Sequence, residues 1–256
     1  MLRRIVPRRL NHEEEATLVE HLSELRHRLL ICLAAIVPAF AIAFAFHERI
    51  IEKLIELLPE GTKLVTLGVT EPFFTSFKVS LYVAFAVALP VFLWQLWAFL
   101  APAMEKDTQR VIAVFVAIAT LLFAIGVVFC YAVVLPKALD FLIGYDSQLY
   151  AEQVRASYFL SFVTLTMIAC GLAFEMPIFI LALVRLGILS SATLRRNRRI
   201  GYVSMLVFAI LLPTVDPISL ALEVVPLLIL FELSIWLAVV MERRWEIPYE
   251  ETFEAS

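Results

Sequence analysis

Glu175 interrupts a long uncharged run, Leu172-Ala173-Phe174-Glu175-Met176-Pro177. A charge at the centre of a membrane helix costs about 2.5–3.5 kcal/mol even on lenient insertion scales, so chains that keep one face it into a protein cavity. Glu175 is therefore a candidate intramembrane polar site. Two more acids, Glu223 and Glu232, break the last apolar run. At about 100° per residue their spacing puts them on opposite faces of one helix, so they cannot share a site. Glu232 reads as snorkelling from one end to water, and Glu223 sits near the other end. Enzyme signatures are absent. His12, His21, His27 and His47 show no ligand spacing, and no nucleophile elbow or phosphate-cradling glycine loop occurs. No catalytic residue, metal or cofactor is expected, nor a nucleic-acid partner. Cys32, Cys130 and Cys170 are widely separated and read as small buried hydrophobes.

The richest pattern is His21-Leu22-Ser23-Glu24-Leu25-Arg26-His27-Arg28-Leu29. Leu18, Leu22, Leu25 and Leu29 recur at helical spacing, which predicts an amphipathic helix feeding into the first span. Glu24 and Arg28 stand one helical turn apart, an ordinary surface pair by spacing alone.

The elements that must position these residues are membrane spans. Apolar residues make up 62% of the chain and charged ones 18%, outside the range of a soluble domain. Six runs emerge: 29–46, 79–104, 111–136, 156–184, 200–215 and 217–241. The expected fold is an all-α polytopic membrane protein with six transmembrane helices, spans five and six short. It is a single integral domain over 1–256: an N-terminal segment 1–28, a six-span core 29–241 and a tail 242–256. The basic start lacks a small-residue cleavage site and is not expected to be a cleavable signal. With the N-terminus inside, Lys and Arg divide fifteen inside to six outside, so both termini are expected in the cytoplasm. Ile50, Ile51, Leu54, Ile55 and Leu58 alternate with charges and predict a short helix along the outer surface, with extended chain over Leu64–Val69. Pro90 and Pro226 are expected to kink spans two and six. Span five offers only about 20 Å of helix, too little for a full bilayer.

The entry segment resembles that of the TatC family, the receptor subunit of the twin-arginine protein translocase. Thr70-Glu71-Pro72-Phe73, the stretch Trp94 to Pro102, Ser161-Phe162, Phe174-Glu175-Met176-Pro177 and Asp216 follow in the family's order. The resemblance runs from about His21 to Met241. It implies a core receptor in the bacterial cytoplasmic (inner) membrane that binds paired-arginine signal peptides of folded proteins. Self-association, assembly with single-span TatA/TatB-type subunits and export driven by the proton gradient are also implied. On matching positions, Glu24 is the recognition carboxylate, Arg26 orients the site and Phe99 flanks it. Planar guanidinium forks suit carboxylates in a way lysine cannot reproduce. The family's second recognition glutamate falls at Thr108, which is uncharged; Glu105 and Asp107 are the nearest acids, and either can substitute. Where the family docks partners through polar residues, this chain has Pro213 and Leu220, with Thr214, Asp216, Ser219 and Glu223 adjacent. Glu175 matches a buried glutamate of a groove open to the cytoplasm. The competing readings are an ion-coupled solute transporter using Glu175 and Glu223, or a diverged relative without peptide recognition.

Overall fold

The computed structural model describes residues 18–59, 62–100, 108–145, 153–185, 187–213 and 216–245. Among these, the chain is helical almost throughout, as expected for a sequence whose backbone polar groups must be satisfied without water. Helix α1 (Leu18–Ala45) is followed by α2 (His47–Ile55), β1 (Leu64–Val65) and α3 (Glu71–Leu100). Next come α4 (Thr108–Phe129), a π-helical turn at Cys130–Val134 and α5 (Leu135–Gly144). Then β2 (Val154–Arg155), α6 (Ala156–Phe174), α7 (Met176–Arg185), α8 (Ser191–Arg196), α9 (Arg198–Ile210) and α10 (Pro217–Trp245) complete the order.

Among the described residues, five helical stretches are long and apolar enough to cross a membrane: Leu22–Ala45, Glu71–Phe99, Ile112–Gly144, Ala156–Arg185 and Pro217–Glu242. The sixth is α9, whose 13 residues make about 20 Å of helix. Only α9 is short. Helix α10 runs 29 residues, because it continues beyond the apolar run into Glu242–Trp245.

Of the local features, two depart from expectation: the end of the third span and the length of the extended stretch. The leucine stripe lies on a helix that runs without a break into the first span: α1 is one element, and Leu22, Leu25 and Leu29 are exposed in line with Leu33 and Val37. The third span does not end at Pro136. The π turn widens the helix just before it and sets Pro136 in the first turn of α5, where its missing N–H is not needed. Pro90 and Pro226 lie within continuous α3 and α10. Only the first two residues of the predicted extended stretch form a strand, which pairs in parallel with β2, Leu64 opposite Val154.

Packing runs from α1 onto α3, from α3 onto α4 and α6, and from α10 onto α7 and α9. Small residues allow the closest approach. A Cβ on Gly126 of α4 would lie 2.9 Å from the Cα of Gly171 on α6. Trp97 is buried against Phe115, ring centroids 4.8 Å apart, and fixes the last turns of α3 on α4.

Candidate functional site

The recognition candidate lies where the start of α1 meets the end of α3. The one-turn spacing brings Arg28 beside Glu24, with the Arg28 Nε–H donating to Glu24 Oε1 at 3.0 Å and Nη2 pairing with the same oxygen. The rest of the guanidinium reaches across to α3. Nη1 donates to Gln95 Oε1 at 3.2 Å and Nη2 to the Ala98 carbonyl at 2.9 Å. One planar fork thus ties the carboxylate to the turn that carries Phe99, which is half-buried. Both Arg28 contacts fall on Oε1, and the Glu24 side chain keeps 31% of its surface exposed. Its second oxygen is the natural acceptor for a further cation.

Arg26 points elsewhere. Two residues on from Glu24, it lies on the far side of the helix and is exposed. The residue that orients Glu24 here is Arg28, with Gln95 as its second anchor. Sequence reasoning noted their positions without giving either a role; the i,i+4 spacing was the available signal. Glu105 and Asp107 lie outside the described residues, and so does Thr214. Thr108 opens α4.

Glu175 sits at the joint of α6 and α7 and is fully buried. Its N–H donates to the Leu172 carbonyl at 3.1 Å, a tightened turn, because Pro177 two residues on cannot extend the α-helical ladder. Neither carboxyl oxygen accepts a hydrogen bond from the described residues. A buried acid without a protein donor is a group that takes up water or a proton.

The remaining candidates gather at the start of α10. Asp216 caps it: Oδ1 accepts from the Ser219 N–H at 2.8 Å, with Pro217 at the first helical position. Ser219 and Glu223 follow one turn apart, both buried. Glu223 faces the interior, whereas Glu232 faces out and holds Arg198 at 3.5 Å and the Tyr202 hydroxyl. Opposite faces are what the spacing predicted. Cys130 and Cys170 are buried in one core cluster. Among the described residues no three His, Cys, Asp or Glu side chains gather to hold an ion.

Glu71, quoted only as part of a motif, organises the opposite end of α3. Its Oε1 accepts from Arg155 Nε at 2.8 Å and the Ser157 N–H at 3.3 Å. Its Oε2 accepts from the N–H groups of Leu67 at 2.9 Å and Gly68 at 3.2 Å. That one side chain joins the segment after β1 to β2 and the start of α6. The hydrogen bond it donates to the Glu71 carboxylate raises the Arg155 guanidinium above its usual range.

Comparison with known proteins gives this geometry its context. The family model of the Sec-independent protein translocase protein (TatC) matches residues 20–226. The chain belongs to the TatC family. A relative from Campylobacter jejuni, a Sec-independent protein translocase protein TatC, is 38% identical over 84% of this chain and 90% of its own. The TatC of Escherichia coli K12 is 35% identical over 88% of each chain. A crystal structure of the twin-arginine translocase receptor TatC in DDM superposes with a TM-score of 0.75 at 36% identity, covering 85% of this chain and 99% of that one. A TatC chain is a protein-translocase component of a membrane, and the helical polytopic fold agrees with that. In this TatC chain, Glu24, Arg28 and Gln95 form a partly open charged site where α1 packs on α3.

Proposed function

We propose that this chain is the receptor and core subunit of a twin-arginine translocase, binding the paired arginines of signal peptides on folded precursors at Glu24. The observation that carries the reading is the Glu24 carboxylate: held by Arg28 through one oxygen, partly exposed, and set beside the turn bearing Phe99. An incoming guanidinium adds to the open edge of that carboxylate with charge-assisted hydrogen bonds. Glu105 or Asp107, in the segment joining α3 to α4, supplies the acid for the second arginine.

The fifteen-to-six division of basic residues supports a single multi-pass domain in the bacterial cytoplasmic membrane with both termini in the cytoplasm. The recognition site then faces the compartment where precursors fold. Thr214, Asp216, Ser219 and Glu223 form the docking region for single-span TatA/TatB-type subunits. The chain acts by binding and assembly rather than by catalysis.

The test is direct. Purified protein is titrated with a labelled twin-arginine signal peptide and its lysine-pair variant, alongside Glu24→Ala. The reading expects tight binding of the arginine peptide alone, lost in Glu24→Ala. Equal binding of both peptides, or full retention by Glu24→Ala, would sink it.

A further inference from the structure

We infer that Cys130 and Cys170 are an oxidisable thiol pair, closed by hydrogen peroxide into a disulfide that staples the third span to the fourth beneath α2. Both side chains lie in one apolar cluster, 0% and 2% exposed, on facing elements: the π turn that follows α4, and α6. Their thiols interact directly. The backbones meet beside them. A Cβ on Gly171, next to Cys170, would lie 2.9 Å from Val127 Cγ2, and one on Gly126, a turn before Cys130, 2.9 Å from the Gly171 Cα. Helices ordinarily pack about 8–10 Å apart, so a glycine contact draws the flanking positions towards the roughly 5.5 Å Cα separation that a disulfide prefers. The π turn begins at Cys130 itself, and its extra residue gives that position room to adjust.

Access comes from the side of α2. Leu54 of that helix is buried in the same cluster, with Ile50 and Ile51 packed against it. The helix is nine residues long, and the Tyr131 hydroxyl, next to Cys130, donates to its Lys53 carbonyl at 3.1 Å. A short surface helix held by a few apolar contacts and such a hydrogen bond opens locally far more often than the spans beneath it. While it is displaced, water takes the Cys130 proton and the thiolate attacks one peroxide oxygen. That gives a sulfenic acid and hydroxide, which recovers the proton as water. The Cys170 sulfur then bonds to Cys130 and displaces the second oxygen, which takes up the Cys170 proton and leaves as another water. Two thiols have lost two electrons and two protons, and one hydrogen peroxide has become two waters. Buried thiols are otherwise inert, so the opening of α2 sets the rate.

This inference goes beyond signal-peptide recognition and stands or falls separately from it. The purified full chain in lipid nanodiscs is treated with hydrogen peroxide, quenched with catalase, unfolded and labelled with a maleimide polymer that counts free thiols. The untreated chain shows three labelled thiols, Cys32, Cys130 and Cys170. After peroxide the expected result is Cys32 alone, on a monomer about 2 Da lighter, and dithiothreitol restores the other two. Cys32→Ala still forms the lighter species, whereas Cys130→Ala and Cys170→Ala do not. Tyr131→Phe, which releases α2 from the π turn, speeds closure about fivefold, the worth of one hydrogen bond, and leaves the final thiol count unchanged. Retention of all three thiols after peroxide overturns the proposal. So does a lighter species that survives in Cys130→Ala or Cys170→Ala, or a loss of thiols that appears only as crosslinked dimers. Equal closure rates in Tyr131→Phe and the unmodified chain overturn it too, because α2 would then not govern access to the pair.

Discussion

Two glutamate–arginine pairs hold opposite ends of α3, and they are built differently. At one end Glu71 is buried and both its oxygens are in use, two backbone N–H groups on Oε2 and Arg155 with the Ser157 N–H on Oε1. At the other end Glu24 is partly exposed, and Arg28 engages Oε1 from within the same helix. The first pair spans 84 residues and closes a loop; the second spans four and closes nothing. A carboxylate saturated by its own chain is a latch. One that keeps an exposed oxygen, with its partner tied to a second helix, is preset for a ligand. The chemistry of the two pairs is the same, and their capacity to bind something else is opposite.

The largest effect that could break this contrast is at Glu24. Replacing it with Gln keeps the shape and removes the charge, so binding of a twin-arginine peptide is expected to fall roughly 10- to 100-fold, the worth of a charge-assisted contact. Thermal stability should barely move, since the pair it loses is a partly exposed one within a single helix. Titration and a melting curve on the same sample check both halves. Glu71→Ala is expected to do the reverse. It strands three backbone N–H groups and a guanidinium, so Tm should fall by several degrees with peptide affinity unchanged. A Glu71 variant that lost peptide binding while keeping its Tm would erase the distinction.

The outer latch also has a pH signature. Glu71 raises the folded pKa of Arg155, so the stabilisation is fully present below the guanidinium's unfolded value and is lost only as pH rises through the higher folded one. Across the working range Tm should not respond to this pair. Arg155→Lys keeps the sign and moves the loss down, to the alkaline side of about pH 10.4. Melting curves from neutral pH upward should diverge there. At the inner end, Arg28→Lys tests the fork. Lysine keeps the charge but cannot join Glu24, Gln95 and the Ala98 carbonyl with one planar group, so peptide binding should weaken roughly fivefold through mispositioning. Loss equal to that of Glu24→Gln would mean Arg28 itself meets the peptide.

Much of this was legible before any geometry. The apolar runs dictate helices, the short run before Pro213 dictates a short α9, and the spacing of Glu223 and Glu232 puts one inside and one out. Single residues acting over long distances were not legible. Arg28 lies 67 residues from Gln95, and Glu71 lies 84 from Arg155; nothing local marks either partnership. Helix continuity was misread at Pro136 for a related reason. The uncharged run ends at Pro136 because Lys137 follows, yet the helix continues past that charge, with a π turn just upstream, invisible as a sequence pattern, accommodating the proline.

Asp216 is the intermediate case, and it sharpens the contrast. Its Oδ1 caps α10 through the Ser219 N–H, like the latch, while Oδ2 has no donor among the described residues, like the receptor site. Two substitutions separate the halves. Asp216→Ala removes the cap and should lower stability by about 1 kcal/mol, the usual worth of an N-cap side chain. Asp216→Asn still accepts from the Ser219 N–H but carries no charge, so the fold should hold. If Oδ2 serves partner docking, co-purification of single-span subunits falls in the Asn variant while its melting curve overlays that of the unmodified chain. If both measurements stay level, Asp216 is wholly a cap, and docking must be sought at Ser219 and Glu223 one and two turns further along the helix.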